Sequence, residues 1–115
     1  MKHFPEKFKF KLNAYEMETL LNMIERKIQE PLPVYGNGMQ PKDILTFNYL
    51  LKYHLEKLRI KVRSKYEGSR AVVYKVSMPF PEAIAFYTAF RFGKTPLTDE
   101  NMLAYKISSE IDPKL

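Results

Sequence analysis

The sequence predicts a small α+β domain. Two short segments alternate apolar and polar residues, as half-buried strands do, and four longer segments repeat apolar residues at intervals of three and four, as amphipathic helices do. The chain has 115 residues, 45% of them hydrophobic, which suits one hydrophobic core over residues 1–115. We therefore expect a two-stranded antiparallel sheet packed with about four helices.

The first strand and helix are predicted over residues 7–30. Residues 7–12 alternate strictly, which places the apolar side chains on one face and lysines on the other. These lysines are Lys7, Lys9 and Lys11. Asn13 and Glu16 have the spacing of a capping box, so a helix should begin between them, and Pro31 should end it.

A second, longer helix is predicted from Pro41 to about residue 66, after a loop over residues 31–41. Its apolar stripe consists of Ile44, Phe47, Leu51, Leu55, Leu58 and Val62. From Leu58 onward the chain also alternates like a strand. A hairpin between residues 59–66 and 71–78 would then add a third strand to the sheet. The helix is favoured, because no helix breaker separates Leu55 from Arg59.

The second half of the chain repeats the order of strand and helices. Residues 72–78 are rich in β-branched side chains and predict a strand, and Pro81 should begin a helix that reaches about residue 92. Gly93 can cap that helix, and Thr98 can begin the last one. The last helix should bury Leu103, Ala104, Ile107 and Ile111.

The two halves also suggest an internal duplication of one β-α-α unit. When residues 8–24 are laid over residues 74–90, the strand positions and several apolar helix positions coincide. The halves would span about residues 6–66 and 72–112. Identical residues are few, and any strand followed by an amphipathic helix would produce some of the matches.

Composition excludes several classes of protein. The chain has no cysteine, so disulfides and thiolate metal sites are excluded, and we expect neither a metal nor a cofactor. No apolar run suits a signal sequence, and the longest nearly unbroken apolar stretch, residues 83–90, is too short to cross a membrane. A cytoplasmic protein without a membrane partner is expected.

The net charge of +6 is concentrated between residues 52 and 70. The basic residues of this segment are Lys52, Lys57, Arg59, Lys61, Arg63, Lys65 and Arg70. The aromatic residues among or beside them are Tyr53, His54, Tyr66 and Tyr74. Cations spread in this way suit a phosphate backbone, and neighbouring aromatic rings can stack on bases. The segment therefore predicts binding to nucleic acid or another anionic partner.

A simpler explanation of the same charge is a solvated helix with a positive bias. Glu56 lies four residues after Lys52 and three before Arg59, so part of the charge is paired locally, which favours this explanation. The strand lysines repeat the basic signal more weakly, because charges on a sheet edge also prevent aggregation.

A second apolar stripe, Tyr49, Tyr53 and Ile60, lies opposite the main one on the long helix. Aromatic anchors on a helix are typical of contact surfaces, so this stripe predicts a protein partner or a homo-oligomer. The alternative is that other helices of the same domain cover it.

The sequence indicates no specific catalytic activity, and we expect a protein that is not an enzyme. His3 and His54 are the only imidazoles, and neither a zinc-binding pattern nor a nucleophile elbow is present. The acidic pairs near Glu16 and Asp99 are explained by helix capping. Residues 36–38, Gly-Asn-Gly before a helix, could bind an anion, but a turn is the simpler interpretation.

Overall fold

The computed structural model describes residues 6–30, 42–90 and 98–114. The elements are β1 (Lys7–Leu12), α1 (Ala14–Gln29), α2 (Lys42–Gly68), β2 (Tyr74–Pro79), α3 (Phe80–Phe90), α4 (Asp99–Ile111) and a short 3-10 turn (Asp112–Lys114). The two strands form one antiparallel sheet. The predicted α+β class is confirmed, with two strands and four helices in the part of the chain that the structure describes.

Helix α2 continues without interruption through residues 58–66, so the prediction of a long helix is confirmed. The alternative hairpin, with its third strand, is wrong. Helical spacing brings Leu55, Leu58 and Val62 to the core, where all three are fully buried. A strand over residues 59–66 would have placed Ile60 on the same face as Val62, because side chains alternate along a strand, but 56% of the surface of Ile60 is exposed.

The sheet pairs Lys7 with Pro79 at one end and Leu12 with Tyr74 at the other. Its inner face is apolar and consists of Phe8, Phe10, Leu12, Tyr74, Val76 and Met78, all buried. Strand β2 begins at Tyr74 rather than at residue 72, because β1 ends opposite Tyr74. Val72 therefore lies outside the ladder, and 87% of its surface is exposed.

The predicted capping box begins α1. The Asn13 side chain accepts a hydrogen bond of 2.7 Å from the Glu16 backbone N–H, and the Glu16 carboxylate accepts one of 3.0 Å from the Asn13 N–H. Lys106 of α4 donates to the same carboxylate over 2.9 Å. Burial opposes ionisation of Glu16, but the bonds from Asn13 and Lys106 hold its pKa below the ordinary value.

Helices α3 and α4 complete the core. Helix α3 begins at Phe80, one residue earlier than expected, and the Phe80 N–H donates to the Glu6 carbonyl over 2.9 Å. Phe86 is fully buried. Thr98 caps α4 as predicted, accepting from the Asn101 N–H over 3.1 Å. The four residues expected to face inward from α4 are buried, and Gly93 lies outside the described residues.

The order strand, helix, helix occurs twice along the chain. Each half contributes one strand to the sheet, and its first helix follows that strand directly. A common origin of the two halves remains a prediction, because similar element order alone does not distinguish duplication from independent packing of the same elements.

The register of α2 can be tested by shortening one buried and one exposed side chain. Leu58→Ala should lower the free energy of unfolding by about 2–5 kcal/mol, because it leaves a cavity in the core. Ile60→Ala should change the free energy of unfolding by less than about 0.5 kcal/mol, because 56% of the surface of Ile60 is exposed. Urea unfolding of both variants measures the difference. Similar losses in the two would contradict this register.

The ion pair between Glu16 and Lys106 predicts a pH-dependent loss of stability. Because folding lowers the pKa of Glu16, its contribution is present above the ordinary carboxyl pKa of about 4.3 and disappears as the pH falls through the lower pKa of the folded state. Glu16→Gln keeps a capping side chain but loses the charge. It should cost about 0.5–1 kcal/mol at pH 7 and much less at about pH 3.

Urea unfolding at the two pH values measures this loss. Glu18→Gln, on the exposed side of the same turn, is the matched control and should cost less than about 0.5 kcal/mol at pH 7. A cost for Glu16→Gln that is the same at both pH values would show that the ion pair contributes nothing.

Candidate functional site

The basic side chains of the segment 52–70 lie on different sides of α2, and the two arginines of the helix face α1. Arg63 forms an ion pair with Glu25, and Arg59 Nη1 lies 3.9 Å from Glu25 Oε1. Arg59 also pairs with Glu56, whose pKa this hydrogen bond lowers. Two of the three predicted arginines, Arg59 and Arg63, are therefore engaged by carboxylates of the fold.

Three further predicted cations lie apart from one another. Lys52 donates to the carbonyl of Glu30 at the C-terminal end of α1, where a cation satisfies a helix-end acceptor. The Lys57 ammonium lies 5.0 Å from the centroid of the Tyr53 ring, on the solvent side of α2. Arg70 is exposed just beyond the end of α2.

Lys61 and Lys65 reach in the opposite direction from the arginines, to the outer edge of β2. Lys61 Nζ lies 3.4 Å from the Ser77 carbonyl oxygen, and Lys65 donates to the Lys75 carbonyl. In an antiparallel pair, carbonyls at alternate positions point away from the partner strand. The two lysines therefore satisfy acceptors on the β2 edge that β1 does not reach.

The outward side of the sheet joins these lysines to a larger basic surface. Lys7, Lys9 and Lys11 point to solvent from β1, and the register places Lys75 of β2 directly opposite Lys11. We call this surface the lysine face; it consists of Lys7, Lys9, Lys11, Lys61, Lys65 and Lys75. Within the described residues no carboxylate pairs with any of the six, and neither strand contains an acidic residue.

The lysine face carries an electrostatic cost. Residues directly opposite on one face of an antiparallel pair have Cβ atoms about 4.5–5.5 Å apart, and like charges there destabilise the sheet. Lys11 and Lys75 form such a pair. Departures from local stability rules are expected where a surface serves a function.

Sequence reasoning identified the strand lysines but did not connect them with the basic helix. The connection needs two facts that a single sequence does not supply, namely the pairing of β1 with β2 and the side of α2 that faces β2. The available signal was Lys75, which is the one charged residue of β2 and lies at an alternating position with Ser77.

A second candidate surface lies on the solvent side of α2. Tyr49, Tyr53 and Ile60, which we call the α2 outer face, are 59%, 56% and 56% exposed. The described parts of the late helices do not cover them. Beside them, a groove of about 340 Å³ separates α2 from α3. Its lining is mostly apolar and includes Phe47, Leu50, His54, Phe80, Ile84 and Thr88.

The remaining candidates form no assembled site in the described residues. His54 is half-buried in the groove, and its Nδ1 is buried without a hydrogen-bond partner in this part of the chain. His3 and residues 36–38 lie outside the described residues. Over residues 6–30, 42–90 and 98–114, no cluster of acidic or histidine side chains could hold a metal ion.

None of the helices in these ranges has the length and apolar character that crossing a membrane requires. No protein-family model matches the chain, and no curated protein or solved structure matches it either. The lysine face and the α2 outer face are therefore the observations on which a functional proposal can be based.

Proposed function

We propose that this domain binds nucleic acid through the lysine face. The supporting observation is six lysines on one surface, none of them paired with a carboxylate in the described part of the chain. Binding a phosphate backbone releases condensed counterions for each phosphate neutralised, so a surface of this kind gains affinity from its charge alone.

The geometry shifts the proposed site from the basic helix segment towards the sheet. Arg59 and Arg63 share the carboxylate of Glu25, and Arg59 also pairs with Glu56, so the charge that they offer to a ligand is largely compensated. Lys61 and Lys65 lie beside β2 and continue the charge of the strands. The segment 52–70 thus contributes part of the surface, and the two strands contribute the rest.

Protection of sheet edges does not by itself account for this arrangement. A charge on each strand is enough to prevent edge-to-edge association. Four outward lysines, with Lys11 and Lys75 opposite one another, exceed that need and oppose folding. An anionic ligand would relieve the repulsion, which gives the arrangement a physical reason.

The proposal predicts binding that weakens steeply with salt. A labelled 20-base-pair DNA duplex and a 20-nucleotide single strand, titrated by fluorescence anisotropy, should lose up to about 10³-fold in affinity between 50 and 200 mM salt if all six lysines contribute. The double variant Lys9→Gln, Lys75→Gln should weaken binding about tenfold. It should also reduce the slope of log affinity against log salt by up to about 1.8.

A matched control removes the same net charge elsewhere. Arg26→Gln with Lys57→Gln changes side chains on α1 and on the solvent side of α2, away from the sheet. This control should change affinity by less than about twofold, since separated surface charges are screened. Equal losses in both double variants, or no binding at 50 mM salt, would overturn the proposal.

A second candidate function is association with another protein through the α2 outer face. Five large apolar side chains of this one helix are exposed: Phe47, Tyr49, Leu50, Tyr53 and Ile60. Phe47 and Leu50 line the groove between α2 and α3. Exposed apolar surface is typical of contact sites, and Tyr is frequent among their energetic centres.

Self-association through this surface can be tested by sedimentation equilibrium. If two copies meet here, the wild type should show mass above that of the monomer, and Tyr53→Asp and Ile60→Asp should each restore the monomer, because a buried unpaired charge opposes the contact. Tyr105→Asp on α4, at an exposed tyrosine outside this surface, should leave the wild-type mass unchanged. An unchanged mass in both α2 variants would exclude self-association through this surface.

A further inference from the structure

The sheet that carries the lysine face has the dimensions of a ribbon. Over the described residues it has two strands of six residues each, so its backbone is about 5 Å wide and about 20 Å long. The inner face is buried against helices, and the outer face is open to solvent. The major groove of B-form DNA, which is about 12 Å wide, admits a two-stranded ribbon together with its outward side chains.

The outer face offers mainly hydrogen-bond donors. Its centre consists of Lys9, Lys11 and Lys75, with Ser77 opposite Lys9. In the major groove, guanine presents two acceptors, N7 and O6, and lysine is one of the side chains that contacts them best. Outward residues on one strand are about 6.8 Å apart, close to the axial rise of two base pairs.

Lysines also border the ribbon on both of its edges. Lys61 and Lys65 lie along the outer edge of β2. At the outer edge of β1, Lys106 Nζ lies 3.5 Å from the Lys11 carbonyl oxygen, although it is shared with Glu16. A groove has a phosphate backbone along each wall, and Lys61 and Lys65 supply cations without a carboxylate partner on the β2 side of the ribbon.

We propose that the sheet inserts its outer face into the major groove of duplex DNA, with Lys9, Lys11 and Lys75 towards the base edges and Lys61 and Lys65 towards the phosphates of one wall. This inference rests on the proposed nucleic-acid binding and names its target. An A-form RNA duplex is not a suitable target, because its major groove is too deep and narrow for side chains to read. With donors dominating the face, sequence discrimination should be low.

Dimethyl sulfate footprinting distinguishes the two grooves, because the reagent methylates guanine N7 in the major groove and adenine N3 in the minor groove. A 20-base-pair DNA duplex saturated with the domain should show protected guanine N7 and unchanged adenine N3. An RNA duplex of the same sequence should bind at least about tenfold more weakly, since the base-edge contacts are lost. Protection of adenine N3 would overturn the inference.

Two variants separate the base-facing lysines from those at the edge. Lys9→Gln should weaken both guanine N7 protection and affinity. Lys61→Gln with Lys65→Gln should weaken affinity but leave the protection pattern of the saturated complex unchanged. The three substituted lysines are exposed, and unfolding in urea checks that each variant is folded.

The remaining outcomes decide between the inference and the function on which it depends. If DNA and RNA duplexes bind equally, without guanine N7 protection, and Lys9→Gln, Lys75→Gln weakens both, the sheet contacts only the backbone. Insertion into the groove is then overturned, while nucleic-acid binding remains. If only the 20-nucleotide single strand binds at 50 mM salt, insertion into the groove is overturned and nucleic-acid binding remains. If neither the duplexes nor the single strand bind, both proposals are wrong.

Discussion

The pairing of β1 with β2 is the contact on which the remaining structure depends. It joins the first and second halves of the chain, and it turns six apolar side chains to one side. A two-stranded sheet is only marginally stable alone, so the helices must cover that side and supply most of the buried area. Helices α1 and α3 follow their strands directly, which brings both to the sheet.

The same pairing determines the side of the sheet on which the charged side chains of the strands lie. Because side chains alternate along a strand, burying Phe8, Phe10 and Leu12 forces the lysines between them to the opposite side. With two strands in the described sheet, each strand has a free edge. Lysines from α2 and α4 meet carbonyls at these edges, so lysines from four elements, namely β1, β2, α2 and α4, lie on or beside one surface.

Helix α2 faces four different environments around its axis. One side packs into the core, a second directs Arg59 and Arg63 to Glu25 on α1, and a third directs Lys61 and Lys65 to β2. The side that remains exposes Tyr53 and its neighbours. The helical period separates cations that are close in sequence, so a basic segment of 19 residues does not become one basic surface.

The sequence by itself determined the elements. Strict alternation identified β1, and the pair Asn13 and Glu16 located the start of α1. The spacing of Leu55, Leu58 and Val62 favoured a helix over a hairpin. Each of these signals is local in the sequence. Only the tertiary structure decided which cations are compensated and which share a surface. Those outcomes depend on strand register and helix rotation, which arise from packing between residues distant in the chain.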